Sequence, residues 1–291
     1  MLLNEINIRD PYMLLHEDVY YLYGTRSATT WGEADGFDAY SSEDLIHWDG
    51  PVEIFHKGEN FWADRCYWAP ECYFYKGSFY LVTTFASETK NMGVQILKSD
   101  SPLGPFEIYS DGPITPKEWK CLDGTIYFNK KGKPFMIFGH SFQDDPKGEM
   151  YAVELREDLK TTVGEPKLLF YASDAKWAKP IPFAKQEFGI EGDVFFVDGP
   201  CLYHTSEGEL RMFWSSWGEH GYAVGVAYSD NGDIDGKWNH KDRPFFSENG
   251  GHGMIFKNKK MELFYLLHNP NDLYMERPHL IKMDNAMLNI I

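Results

Sequence analysis

Phe195–Asp230 reads FFVDGPCLYHTSEGELRMFWSSWGEHGYAVGVAYSD, and its pattern decides the fold. One acidic residue, Asp198, opens a strand; Ser206-Glu207-Gly208 makes a turn; two further strands follow with no helical period. This is a β-meander headed by a carboxylate. Asp-Gly-Pro is a short, restricted turn, so it fixes the direction of the Asp198 side chain more tightly than a loose surface loop would. Taken alone, that setting fits an aspartate that only hydrogen-bonds its own turn. Recurrence along the chain changes the reading.

Toward the N-terminus, Arg9-Asp10-Pro11 leads into a strand, a turn at Glu17-Asp18 and a strongly aromatic strand, followed by the strand-like FDAYSS and VEIF. A second copy starts at Trp68-Ala69-Pro70-Glu71 and turns at Lys76-Gly77. A third opens at Leu122-Asp123-Gly124, the fourth is the stretch above, and a fifth opens at Gly251-His252-Gly253 and closes with HLIKM. Aligned, the openings read DPYM, APEC, DGTI, DGPC and HGMI, recurring roughly every 54 to 75 residues, the spacing of propeller blades. The expectation is an all-β, five-bladed β-propeller with four antiparallel strands per blade, a single domain over residues 1–291. Helical periodicity is sustained nowhere, which disfavours an α/β fold, and a β-sandwich gives no reason for the same turn chemistry at every fourth strand. The longest irregular piece, residues 174–195, is expected as an insertion between the third and fourth blades, lying over one face.

The chain is 43% hydrophobic and 16% aromatic over 291 residues, enough for a sizeable core. Aromatic residues favour strands and supply flat faces on which sugars stack. A formal net charge of −16 argues against a nucleic acid or an anionic membrane as partner. No run approaches the roughly 20 apolar residues of a membrane span, and Met1-Leu2-Leu3 is followed by polar residues rather than by the apolar core of a signal peptide. A cytoplasmic location is expected for the chain as it stands, periplasmic or secreted if a leader precedes it. Cys66, Cys72, Cys121 and Cys201 show neither a CxxC pair nor zinc-type spacing and are expected as free thiols.

In a propeller the innermost strand of each blade lines the axis, so the strand openings converge at one end of a shared funnel. The alignment brings Asp10, Asp123, Asp198 and His252 together there. Carboxylates crowded in a partly dry pocket raise one another's pKa at a cost in stability, which marks a site rather than a scaffold. Paired acids suit glycoside hydrolysis: one ionised to activate water, the other protonated to donate to the leaving oxygen. Asp10, beside the cationic Arg9, is the candidate base. Glu71, two residues past its strand opening and on the same side, is placed to bond sugar hydroxyls or the pocket wall. Trp68, Phe37, Trp31, Phe142 and Trp217 are candidates for stacking a sugar ring, Arg277 for pairing with a pocket carboxylate or a hydroxyl, and His140 and His220 for polar pocket walls.

The RDP opening, WAPE, LDG, VDGP and GHG, in this order and across essentially the whole chain, resemble the family 43 glycoside hydrolases. The resemblance implies a five-bladed propeller enzyme that cleaves terminal α-L-arabinofuranosyl or β-D-xylosyl residues, or galactofuranosyl ones, from an oligosaccharide or polysaccharide by exo action and with inversion. It matches Asp10 to the general base and Asp123 to an aspartate that modulates the acid's pKa. His252 matches an axial histidine that in some relatives helps hold a water or a metal ion, which implies no required cofactor but a calcium or sodium ion at the centre. Asp198 falls where most of these enzymes carry a glutamate, and an aspartate draws the acid back by roughly 1.5 Å unless the backbone moves in. That departure leaves three outcomes: Asp198 as the acid, Glu187 or Glu191 of the insertion as the acid, or a propeller that binds glycans without cleaving them. RDP with PEC is also similar to the fructan-cleaving family 32, retaining enzymes that would use Asp10 and Glu71, but their Asn-Asp-Pro-Asn opening is absent. A protein-interaction propeller whose axial acids hold a cation is the remaining alternative.

Overall fold

The computed structural model describes residues 1–284 and 290 of the chain. They form a five-bladed β-propeller with almost no helix. Blade one holds β1 (Ile8–His16), β2 (Val19–Arg26), β3 (Gly36–Ser42) and β4 (Asp49–His56). Blade two holds β5 (Arg65–Tyr75), β6 (Ser78–Ala86), β7 (Gly93–Ser99) and the short β8 (Glu107–Ile108). Blade three holds β9 (Cys121–Phe128), β10 (Pro134–His140), β11 (Glu149–Leu155) and β12 (Thr162–Tyr171). Blade four holds β13 (Asp198–His204), β14 (Leu210–Gly218), β15 (Gly221–Ser229) and β16 (Trp238–His240). Blade five holds β17 (Gly251–Lys257), β18 (Leu263–Asn269) and β19 (Arg277–Met283): three strands among the described residues where the sequence pattern predicts four, with an isolated bridge from Met283 to Ile290.

Every blade is an antiparallel meander whose sheet order is its chain order. The turns Glu17-Asp18 and Lys76-Gly77 have positive φ at both residues, the turn form whose twist matches that of the strands it joins. β1, β5, β9, β13 and β17 are the innermost strands, each against the next around the axis. A lone blade would leave both faces in water, so the apolar clusters between blades hold the ring together. Phe37, Tyr67 and Phe85 fill the first junction, Val82, Val94 and Phe138 the second, Met150, Phe170 and Trp214 the third, and Phe213, Val224 and Tyr265 the fourth. The ring closes where Ile6, Ile8 and Met13 meet Met254, Phe256 and Leu266.

The stretch between Tyr171 and Asp198 lies at the same end as the strand openings. It carries the one α-helix among the described residues, α1 (Ala184–Phe188), stopped by Gly189 at φ 68°. Phe183, Ile190 and Phe196 of this insertion pack with Phe142 and Trp217, and Trp177 enters the junction between blades three and four beside Gly225 and Trp214. All four cysteines are free thiols.

Each innermost strand opens on a bulge at the same place. Arg9 pairs with Thr25, Trp68 with Thr84, Leu122 with Gly139, Asp198 with Ser215 and Gly251 with His268, and the two residues after each leave the ladder. The bulge residues Asp10, Ala69, Asp123, Gly199 and His252 have φ of 50°, 48°, 55°, 51° and 45°. Glycine takes that left-handed conformation freely; the other four store roughly 1–2 kcal/mol each. The alignment expected from sequence therefore holds in four blades and is one residue out in the fourth, where Gly199 rather than Asp198 is the equivalent of Asp10. Asp198 stands one place earlier, level with Arg9, Trp68 and Leu122. The two levels differ in exposure: the five bulge residues are buried and make a floor, whereas Arg9, Trp68, Leu122 and Asp198 are partly exposed and make a wall.

Candidate active site

The floor is built from backbone N–H groups that the bulges turn away from their own sheets. Ala69 N–H donates to Thr25 Oγ1 (2.8 Å), Asp123 N–H to Thr84 Oγ1 (2.9 Å), His252 N–H to Ser215 Oγ (2.8 Å) and Asp10 N–H to His268 Nδ1 (3.1 Å). Each acceptor belongs to the preceding blade and holds the same place on its second strand. In blade three that place is Gly139, where a Cβ would stand 2.6 Å from the Val197 carbonyl oxygen. With no side chain there, Gly199 N–H donates to Asp123 Oδ2 (3.2 Å) instead. Gly199 also lies flat against the His252 ring. A Cβ at this position would stand 2.7 Å from the imidazole, so the floor requires glycine in blade four for space as well as for φ.

Asp10, 7% exposed, accepts from Thr25 Oγ1 at 2.6 Å, and its Oδ1 lies 3.3 Å from His252 Nδ1 and 3.7 Å from Arg9 Nε. Burial pushes its pKa up, but His252, Arg9 and the Thr25 bond outweigh burial and hold it below the ordinary carboxylate value. His268 lies 3.5 Å from the same oxygen without being a counter-ion, because its Nδ1 accepts the Asp10 N–H and burial pushes its pKa down to about 3. His252 is also pushed down, by burial. Burial disfavours the charged form of both imidazoles, and Arg9 is the cation beside Asp10 that stays charged whatever their state.

Asp123 is raised well above its ordinary value by burial and by Asp198, Asp10 and Glu71, with the Gly199 N–H opposing. Asp198 is pushed up to about 7 by burial and by Asp10, against the Tyr222 hydroxyl that donates to its Oδ2 at 3.1 Å and against Arg9. Three aspartates in one funnel thus divide: Asp10 is held below the ordinary carboxylate value, Asp123 well above it, and Asp198 is pushed up to about 7.

Other residues predicted for the site fall in different places. Trp68 is in the wall, its Nε1 donating to the Thr30 carbonyl at 2.7 Å and its ring meeting the edge of Trp31, which is 64% exposed. Glu71 lies buried, bonded to the Tyr73 hydroxyl and to Thr125 Oγ1 (2.7 Å) and pushed by burial up to about 8, so it serves the pocket's own structure. Phe37 is not a stacking residue: it is wholly buried (0% exposed) among Phe55, Tyr67 and Phe85, where the hydrophobic effect places it. Arg277 donates to the Tyr274 and Glu276 carbonyls of its own loop, and Arg9 is the arginine that meets the carboxylates. His140 is engaged at the rim of blade three, Nδ1 2.6 Å from Glu149 and Nε2 3.2 Å from Asp144, with its ring stacked on Trp119. Trp217 and Phe142 pack under the insertion, and His220 is exposed in the turn after β14. Glu191 pairs with Lys185 at the surface and Glu187 is exposed on α1, whereas Asp198 is the one of the three carboxyls close enough to interact with Asp10.

The partners Thr25, Tyr222, His268, Ser27 and Glu276 escaped sequence reasoning. For Thr25, Thr84, Ser215 and His268 a signal existed, a polar residue repeated at one place on each second strand. The donors expected to hold a central cation are occupied otherwise: His252 Nδ1 faces Asp10 and Asp123 (3.3 and 3.6 Å), and those carboxylates serve Thr25 and Gly199. Among the described residues no group of three or more His, Cys, Asp or Glu is arranged to hold a metal ion, and no step below runs through one.

Carboxyl groups gathered at one end of a propeller's axis with their pKa values pushed apart fit the paired acids of a glycoside hydrolase. Comparison with known proteins narrows the class: the family model described as "Glycosyl hydrolases family 43" matches residues 4–283, and the chain belongs to that family. It is similar to the crystal structure of an endo-arabinase from Bacteroides thetaiotaomicron VPI-5482, with 34% identity, 100% of this chain and 99% of that one covered, and a TM-score of 0.90. The fold is shared with a thermostable family-43 glycoside hydrolase (23% identity, 98% and 92% covered, TM-score 0.81). It is shared too with an α-L-arabinofuranosidase from Lactobacillus brevis (17% identity, 98% and 94% covered, TM-score 0.70). No protein of curated function matches the chain.

Proposed function

We propose that the protein is an inverting glycosidase acting on α-L-arabinofuranosyl linkages, with Asp10 as general base, Asp198 as general acid and Asp123 as the residue that positions and tunes the acid. The observation that carries this reading is the different setting of the two carboxyls, Asp10 on the floor against Arg9, His252 and Thr25 and Asp198 in the wall against Tyr222, which pushes their pKa values apart. Asp10 takes a proton from water as the water oxygen bonds to the anomeric carbon. The glycosidic C–O bond breaks on the opposite face, and Asp198 gives its proton to the leaving oxygen. Solvent then restores both groups. Asp198 stands in the wall rather than on the floor, which supports a role above Asp10 and suits a side chain one methylene shorter than glutamate.

Release of nitrophenol from aryl arabinofuranoside, xyloside and galactofuranoside, with the anomer of the first product followed by NMR, tests the sugar and the stereochemistry. Asp10→Asn and Asp198→Asn are each expected to lower kcat by about a thousandfold or more with the fold intact. Near-normal activity in Asp198→Asn would refute the acid assignment, and binding without turnover on every glycoside would favour a non-catalytic glycan-binding propeller. Exo attack on chain ends yields monosaccharide alone from linear arabinan. A second reading, internal cleavage, is favoured by the similarity to the endo-arabinase and yields a ladder of oligosaccharides in the same assay.

A further inference from the structure

Glu276 is wholly buried (0% exposed) in the loop before β19, and its carboxylate accepts from Ser27 Oγ at 2.7 Å and from Arg9 Nη1 at 3.2 Å. Both partners belong to the first blade. A buried carboxylate is costly to keep unless a cation and further donors offset its desolvation, so its value lies in what it does to Arg9. The guanidinium is roofed by Trp31, 5.6 Å from the ring centroid. Its Nε lies 3.7 Å from Asp10 Oδ1, within ion-pair distance but outside hydrogen-bond range, and is buried with no hydrogen-bond partner. An unrestrained arginine next to a carboxylate closes a bidentate pair. Such a pair would occupy the lone pairs with which Asp10 must accept a proton from water. Glu276 holds the guanidinium back, so Asp10 feels its charge without a bidentate arginine on its oxygens.

We propose that Arg9, latched by Glu276, is a positioning residue for the hydrolysis, supplying a permanent positive charge to the funnel without closing a hydrogen bond on the base. This rests on the reading of Asp10 as base and Asp198 as acid. Asp10, Asp198, Tyr222 and Glu276 face Arg9, and His252 and His268 face Asp10. Arg9 favours the ionised forms of both Asp10 and Asp198. Loss of the cation therefore raises both pKa values and moves both limbs of the kcat/KM profile to higher pH. Loss of the Glu276 charge leaves the cation uncompensated and moves both limbs to lower pH.

The experiment profiles kcat/KM against pH for Arg9→Met, Arg9→Lys and Glu276→Gln on the aryl glycoside that the wild type cleaves, with circular dichroism and thermal melts as folding controls. Arg9→Met is expected to shift both limbs upward by about one pH unit and to lower kcat about ten- to a hundredfold. Arg9→Lys is expected to restore the limbs in part, since a point charge survives where the planar fork does not. Glu276→Gln is expected to shift the limbs downward and to lower kcat about tenfold, because the released guanidinium closes on Asp10. A uniform loss with unmoved limbs in Arg9→Met, or limbs moving the same way in Arg9→Met and Glu276→Gln, overturns the latch. If Arg9→Met does not fold, Glu276→Gln decides: limbs moved down support the latch, and unmoved limbs overturn it. Asp10→Asn and Asp198→Asn run alongside; near-normal activity in either brings down the catalytic reading and the latch with it, whereas their inactivity with unmoved limbs in Arg9→Met brings down the latch alone.

Discussion

Blades one, two, four and five each lend a neutral side chain, Thr25, Thr84, Ser215 or His268, to the bulge N–H of the next blade, whereas blade three presents Gly139 and leaves that task to Asp123. At the ordinary junctions sealing the floor and doing chemistry are separate jobs. At the third they fall on one carboxylate. Gly199, whose N–H Asp123 holds, directly follows Asp198, so the bond ties the proposed tuning aspartate to the backbone of the proposed acid. A carboxylate that swung freely would change the field at Asp198 with every fluctuation; one anchored by a buried N–H does not.

Substitution at Asp123 breaks this comparison with the largest expected effect. Asp123→Asn keeps an acceptor for Gly199 N–H and is expected to melt close to the wild type while kcat falls about a hundred- to a thousandfold. Asp123→Ala is expected to lose that activity and, in addition, about 1–3 kcal/mol of stability, because the Gly199 N–H is left unsatisfied. Full activity in Asp123→Asn would reduce the third junction to a structural variant of the others. A smaller effect separates the junctions by stability. Gly139→Ala sets a Cβ 2.6 Å from the Val197 oxygen and is expected to cost about 1–3 kcal/mol by overpacking, with activity falling as Val197–Gly199 shifts. Ser215→Ala at an ordinary junction is expected to cost a similar amount in denaturant melts with a far smaller fall in kcat. Equal losses of kcat in the two would erase the distinction.

The smallest effect concerns Glu71, beneath the floor. Its pKa is pushed up to about 8, above the ordinary value of 4.5, so the folded state keeps a proton that the unfolded chain loses. Its contribution to stability is present below about pH 4.5 and is lost as pH rises through 8. Glu71→Gln removes that dependence, and the fall in Tm between pH 5 and pH 8.5 is expected to shrink by about 2–4 °C. Asp123 and Asp198 act in the same direction, so a residual slope is expected to persist.

The propeller was legible because each blade announces itself with an acid, alanine or histidine ahead of proline or glycine, a pair that a bulge with positive φ selects. The displaced register of blade four was legible too, though only through proline: Pro11, Pro70 and Pro200 each follow the bulge residue directly, and aligning them places Gly199, not Asp198, opposite Asp10. Phe37 and Arg277 went astray because residue type says nothing about direction. A phenylalanine near a strand opening faces the junction core as readily as the funnel, and a loop arginine finds its nearest carbonyls first. Arg9 was visible beside Asp10, but not the restraint upon it, since Glu276 is 267 residues away in sequence.

The contact that seats Asp10 N–H on His268 spans 258 residues, and the Ser27 bond to Glu276 spans 249. Both join the last blade to the first, at the seam where the ring shuts. Asp10 is therefore oriented, and Arg9 restrained, by contacts that exist only where the fifth blade docks on the first. If Asp10 is the base, opening that seam alone removes the contacts that seat it, and turnover becomes a measure of the fraction of molecules whose ring is shut.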